Sequence, residues 1–316
     1  MKKWLGLGLW LVGLSTAMAQ TCGVDTPPSS VNRVSYKAGG KAMGHKKQVS
    51  TPVSSVFPAY VVAVSGRAVL AQRAGSAFAQ PVSLKLGDAL QRDDVVHTLG
   101  DGFLSVRYGD GTLNTMPSNA RMQLQQLSKG VARAVLLGGT VHSKVVKQKN
   151  ASKSTFEIQL PTVTVGVRGT DFGVSISPES QWLSVVEGLV SVRQNHSCAP
   201  AVAVKGGEGA VLSQVPIRPM ALLPAPTVRN SDKAQRHAQY SEFDVAPVAD
   251  AVAYRAQVAR DAAFVDVVAD VRSSSAAVRV NDANLADGFY YVRLNAVDAQ
   301  NIDGMPSVYG FFKSRE

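Results

Sequence analysis

Two cysteines, three tryptophans and 18% charged residues are all that this 316-residue chain contains of those classes. Each shortage closes off a type of protein. Two cysteines cannot build a disulfide-dense mini-protein or a thiolate zinc site. An aromatic content of 7%, with abundant Val and Gly, points away from helix bundles and toward β structure. Hydrophobic residues make up 45%, too many for a wholly disordered chain, and 27 Gly with 15 Pro are too few for a collagen-like repeat. Long apolar runs are missing too. The run from Trp4 to Ala19 covers roughly sixteen residues, short of the roughly 20 that a spanning helix needs.

Patterned chemistry is equally scarce. The five histidines, His45, His97, His142, His196 and His237, share no metal-ligand spacing and no H-E-x-x-H context. No G-x-S-x-G elbow is present. Asp93-Asp94 and Asp101 fall among glycine-rich turns, where Asp is expected to cap backbone amides. No enzyme, cofactor or metal site is therefore expected.

What is present begins with an export signal. Lys2-Lys3, the apolar run and Ser15-Thr16-Ala17-Met18-Ala19 read as n-region, h-region and cleavage site, so residues 1–19 are expected to leave and the chain to reside in the periplasm or outside the cell. Ala19, Gln20 and Thr21 before Cys22 do not form a lipobox, so no lipoprotein is expected. In an oxidising compartment Cys22 and Cys198 are a candidate disulfide. So long a loop would be worth about 5 kcal/mol on the loop-entropy model.

The formal charge of +10 is unevenly placed. Residues 61–216 carry 15 basic against 10 acidic residues, whereas residues 240–316 carry 7 against 11. A change of sign near residue 240, after Pro216, Pro219, Pro224 and Pro226, marks a domain boundary and an extended linker over 216–240. Residues 20–58 are polar, basic and without apolar period, which predicts a flexible arm. Over 59–215, short alternating runs such as Leu104-Val106-Tyr108 and Val163-Val165-Val167 are separated by Gly87-Asp88, Gly138-Gly139, Gly169 and Gly206-Gly207. This punctuation predicts an all-β body, a stacked β-roll or solenoid at least as readily as a sandwich.

Several of these runs resemble a family. Gly87-Asp88-Ala89-Leu90 through Asp94-Val95-Val96-His97-Thr98, Tyr108-Gly109-Asp110-Gly111-Thr112-Leu113, Leu137-Gly138-Gly139-Thr140-Val141, Val167-Arg168-Gly169-Thr170-Asp171-Phe172 and Val186-Glu187-Gly188-Leu189-Val190 follow, in order, the pattern of FecR domains. The resemblance covers about half the chain and implies a periplasmic domain of β-roll or β-helix character. Arg168 is expected to hold a turn by donating to carbonyls, Gly169 to allow its backbone path and Thr170 to bond the local chain, making this motif a structural corner. Namesake members relay a signal to a sigma factor through a cytoplasmic part. Only three residues precede the apolar run here, so that part of the role is not expected.

Residues 241–316 resemble a fibronectin-type-III-like module through Phe243-Asp244-Val245, Ala253-Tyr254-Arg255-Ala256-Gln257-Val258 and Gly288-Phe289-Tyr290-Tyr291-Val292-Arg293-Leu294. Val245 stands where the family usually has a core Trp, leaving Phe289 or Tyr290 to fill the space. Tyr291 and Arg293 should face away from Tyr290, Val292 and Leu294.

One charged segment stands apart. Lys144, Lys147, Lys149 and Lys153 lie in a stretch without an acid from Gly111 to Phe156 and form a candidate patch for an anionic envelope polymer, against the plainer reading of a solvated loop. Nucleic acid is not an expected partner, for want of interleaved stacking aromatics. The expected chain is a non-enzymatic envelope scaffold that binds a protein or polymer, with a periplasmic signal-input component as the alternative.

Overall fold

The structure, a computed structural model, describes residues 59–73, 80–128, 131–147, 156–229, 235–237, 240–281 and 285–314. Every regular element among them is a strand, as the Val- and Gly-rich composition leads one to expect. No helix among the described residues is long and apolar enough to cross a membrane.

Residues 59–221 build a roll of two facing sheets. The front sheet contains Ala59–Ser65, Phe103–Tyr108, Leu113–Met116, Asp171–Ile176, Gln181–Glu187 and Glu208–Val211. In the back sheet lie Ala68–Gln72, Val95–Thr98, Arg121–Ser128, Phe156–Gln159, Val163–Val167, Leu189–Gln194 and Val202–Lys205. The chain passes repeatedly from one sheet to the other, so the sheets close over one core. Leu104, Val106, Val141, Phe172, Val174, Leu183 and Val185 meet Met122, Leu124, Leu136, Ile158, Val165 and Val192 inside it.

The 14-residue strand Val131–Lys144 belongs to both sheets. Its first half pairs antiparallel with Arg121–Ser128 and parallel with Phe156–Gln159, and its second half pairs with Leu113–Met116 and Asp171–Ile176. Gly138-Gly139, read in the sequence as a break between strands, is instead the point where one continuous strand changes sheets. Gly139 has φ +77°, and a Cβ there would lie 2.5 Å from the Asn119 carbonyl oxygen. Only glycine fits that bend.

Residues 240–314, with Gln235–His237, form a second two-sheet body. Gln235–His237, Tyr240–Asp244 and Ala277–Asn281 make one sheet, and Val267–Ser273, Ala253–Ala259, Gly288–Val297 and Asp303–Lys313 the other, in that spatial order. Phe243, Val245, Tyr254, Val258, Val278, Tyr290, Val292 and Leu294 fill its core. Tyr290 takes the inner position and stacks on Phe311, whereas Phe289 is exposed. The alternation read in this strand holds, with Tyr291 and Arg293 on the opposite face from Tyr290 and Val292.

Residues 216–229 are extended but not a free tether. Met220–Ala221 pairs with Glu208–Val211, the Met305 amide donates to the Leu223 carbonyl, and Val228 bridges Val245. The described residues of 59–195 and 199–314 consequently form one compact unit. Burial in the front sheet reflects this. Asp171–Ile176 and Gln181–Glu187 each have four consecutive buried residues, where a sheet covered on one side would alternate.

Candidate functional site

The Arg168-Gly169-Thr170 motif carries the chain from Val163–Val167 in the back sheet to Asp171–Ile176 in the front sheet, which makes it a corner of the roll. Its bonding differs from the expectation. Among the described residues Arg168 Nε and Thr170 Oγ1 are buried without a hydrogen-bond partner. Backbone and close packing hold the corner instead. The Val145 amide donates to the Thr170 carbonyl, and a Cβ on Gly169 (φ +67°) would approach the Lys147 Cβ to 2.7 Å. Gly188 stacks against Gly169 and Thr170, and the Gly206 amide donates to the Gly188 carbonyl. Glycines at successive turns thus let the coils of the roll lie directly on one another.

The lysine patch divides. Lys144 is exposed at the end of its strand, level with Leu113 and Asp171, and Lys147 is exposed beside the corner. Lys149 and Lys153 lie outside the described residues, as do Cys22, the expected partner of Cys198, and the whole expected arm and signal over 1–58. Asp94 caps its turn by accepting from the Gln91 amide, and Asp88 and Asp110 accept in the same way from the Lys85 and Thr112 amides. Asp101 differs, pairing through its side chain with Arg67. No group of three or more His, Cys, Asp or Glu able to hold a metal occurs among the described residues.

The most organised polar constellation is one that sequence patterning did not single out. It lies where the second body covers the front sheet. Arg255 is at its centre, donating from Nε and NH2 to the Asp270 carboxylate (2.9 and 2.5 Å) and from NH1 to Asp303 (2.5 Å). From the same NH1 it reaches His142 Nε2 of the roll at 3.2 Å. Arginine has no acceptor, so His142 Nε2 must present its lone pair and the ring is neutral, with its proton on Nδ1. Burial, then the Arg255 and Arg293 charges, hold the His142 pKa well below its ordinary value. Burial works against the charge of Arg255, but Asp270 and Asp303 outweigh it and raise its pKa.

Gln257 extends the network, donating to Asp270 at 2.8 Å and accepting from Arg293 at 2.5 and 3.0 Å. Arg293 in turn lies over the Phe264 ring, 4.5 Å from its centroid. Phe264 sits at the tip of a loop fixed by Asp261, whose carboxylate accepts from the amides of Ala263, Val265 and Asp266. Ser105 Oγ in the roll donates to the Val265 carbonyl at 2.6 Å. Having spent its only proton there, Ser105 accepts from Thr115 Oγ1 at 3.1 Å. Two apolar contacts flank this polar centre: Phe103 with Phe264 and Val267, and Trp182 and Val211 with Ile302.

Alternation in Ala253–Ala259 and Gly288–Val297 could have placed Arg255, Gln257 and Arg293 on one face. Nothing local in the sequence says that this face is covered, and exposed polar residues would show the same pattern.

Comparisons with known proteins bear on the roll. The family model described as FecR protein matches residues 94–191, from the buried Asp94 to the strand after the Gly188 turn. The match contains the Arg168-Gly169-Thr170 corner, both halves of Val131–Lys144 and His142. Two crystal structures of a candidate anti-sigma factor from Parabacteroides distasonis ATCC 8503, at 2.50 and 1.65 Å resolution, align with a TM-score of 0.35 and 17% identity over 40% of this chain. This chain spans 59% of that protein's length, and a score so low does not establish a common fold. No curated protein matches the chain.

Proposed function

We propose that the chain is a non-enzymatic, exported signal-input component of a FecR-type pathway, binding a protein partner in the periplasm. The FecR match over residues 94–191 carries this reading, because it falls on a complete stretch of the two-layer roll. Charge and packing support a binding role: polar networks inside the fold tie elements together, and among the described residues none pairs a nucleophile with an oriented base. The export pattern over residues 1–19 supports the location, and a Cys22–Cys198 bridge belongs to the same reading. Thiol titration of the denatured protein before and after reduction checks the bridge. The reading requires two reactive thiols only after reduction.

The second body is, in this reading, a fibronectin-III-like module. Its seven strands support this, with the first, second and fifth in one sheet and the fourth, third, sixth and seventh in the other. It stiffens and presents the roll. Photo-crosslinking in cells from exposed roll positions such as Leu137 and Leu189, followed by identification of the captured protein, tests the proposal. Capture of a membrane sensor, a transporter or a sigma-factor regulator is the expected result. Capture of a secretion or polymer-export assembly would instead mean a structural scaffold.

A further inference from the structure

Among the described residues, the sheet edges are guarded with one exception. The edge strands Val82–Ser83, Ala89–Leu90 and Met220–Ala221 are two residues long, and Gln235–His237 is three. Longer edges carry charge: Lys205 in Val202–Lys205, Asp270 and Arg272 in Val267–Ser273, and Arg279 in Ala277–Asn281. Shortness and charge keep a free row of amides and carbonyls from pairing with another chain. The edge strand Asp303–Lys313 is different. It is 11 residues long and its neighbour in the sheet is Gly288–Val297 alone. The Met305 amide, near its start, is taken up by the Leu223 carbonyl. Beyond that point the run Ser307-Val308-Tyr309-Gly310-Phe311-Phe312 holds neither a charge nor a proline. Among the described residues its backbone bonds only to Gly288–Val297.

The outer face of this edge is apolar as well. Register sets Phe312 beside Phe289, Gly310 beside Tyr291 and Val308 beside Arg293. Val308, Phe312 and Phe289 are about half exposed, at 49, 50 and 54%. Phe289 meets Tyr291 edge to face at 5.2 Å, and Tyr291 packs on the Phe103, Phe264 and Val267 contact between the two bodies. The exposed stripe therefore continues an interface that the fold already uses. Its backbone selects the kind of occupant, because an extended strand is what satisfies a row of alternating amides and carbonyls.

The sequence of the edge selects which strand. We propose that Asp303–Lys313 pairs antiparallel with the same strand of a second copy, about a two-fold axis at Gly310. In this register Val308 lies opposite Phe312 of the second copy and Tyr309 opposite Phe311, so apolar side chains meet on both faces. No charge lies between Ser307 and Phe312, so identical strands meet there without like charges opposed. Pro306 falls opposite Ser314, outside this span, whereas a two-fold at Tyr309 would set it against Phe312, where its missing amide costs a ladder bond. Gly310 suits the axis. The Phe289 ring lies over it so closely that a Cβ would come 2.5 Å from the ring's Cζ, and two such positions side by side bring the two Phe289 rings together. The result is an isologous dimer in which two four-stranded sheets become one. It goes beyond the protein-partner reading and rests on the strand edge alone.

Sedimentation equilibrium of the full chain over a wide concentration range tests the proposal, with a monomer–dimer equilibrium as the expected result. Val308→Lys and Phe312→Glu each change a half-exposed side chain and should each weaken the dimer at least about tenfold, the loss expected at a central interface position. Mixed in equal amounts, the two variants should associate at least about tenfold more tightly than either alone, because the antiparallel register sets the two introduced charges, of opposite sign, against each other. Recovery in the mixture also shows that both variants fold. A wild-type chain that stays monomeric or grows beyond a dimer would overturn the proposal. So would a dimer that both variants leave unchanged, or a mixture that associates no better than its components.

Discussion

His142 shows how much a single side chain can report about this junction. Its ring accepts from Arg255, faces Arg293 as well, and lines one small pocket with Lys144 and Asp171. Protonation would set a third positive charge against two guanidinium groups. Since its folded-state pKa lies below the unfolded value, the unfolded chain takes up the proton first as the pH falls. His142 therefore contributes stability that is present above the ordinary pKa of about 6.5 and lost below it. Its slope can reach at most about 1.4 kcal/mol per pH unit. Asp171 acts in the opposite sense, its raised pKa disfavouring the fold as the pH rises through it. That contribution is common to the wild type and a His142→Asn variant, so their difference isolates the histidine. Urea unfolding at pH 7.5 and 5.5 should show the wild type losing stability relative to His142→Asn at the lower pH. Arg255→Ala should be costlier, about 3–5 kcal/mol at pH 7.5, because it strands the Asp270 and Asp303 carboxylates. A cost under 1 kcal/mol would mean that these ions are hydrated and not part of a closed network.

Among the elements, Val131–Lys144 decides the shape of the roll by serving both sheets. The two glycines at its bend make a paired test. Gly139→Ala puts a Cβ against the Asn119 carbonyl and a side chain at positive φ, and should cost at least about 1–2 kcal/mol. Gly138→Ala meets nothing within 4 Å and does not have a positive φ, so its unfolding midpoint in urea should stay close to that of wild type. The strands themselves were largely legible: alternation in Phe156-Ile158-Leu160 and Val163-Val165-Val167 matches the burial of those residues. The bend was not, because a Gly-Gly pair signals a turn and a change of sheet alike, and only the second half's partners distinguish them. Nor could the front sheet's double burial be read. Gly173 and Ser175 alternate with Phe172 and Val174 as an outward edge would, yet both are buried. The side-chain bonds of the Arg168-Gly169-Thr170 motif were not legible, since close glycine packing leaves Arg168 Nε and Thr170 Oγ1 no described partner.

At the scale of the molecule, residues 61–216 and 240–316 carry net charges of opposite sign. Contact is made by something more local. A cation from the acidic half, Arg255, reaches a neutral histidine of the basic half, and two apolar contacts flank it. Net charge is screened within about 8 Å at physiological salt, whereas these contacts are direct. Trp182→Ala, which empties the contact with Ile302 and Val211, should cost about 3–5 kcal/mol, with little change between low and high salt when both are followed by chemical unfolding. The FecR-matched roll and the second body are held as one keyed unit. Differential scanning calorimetry of the full chain tests this most directly. The account predicts a single transition with calorimetric and van't Hoff enthalpies in agreement, splitting into two in Arg255→Ala. Two separate transitions in the wild-type protein would contradict it.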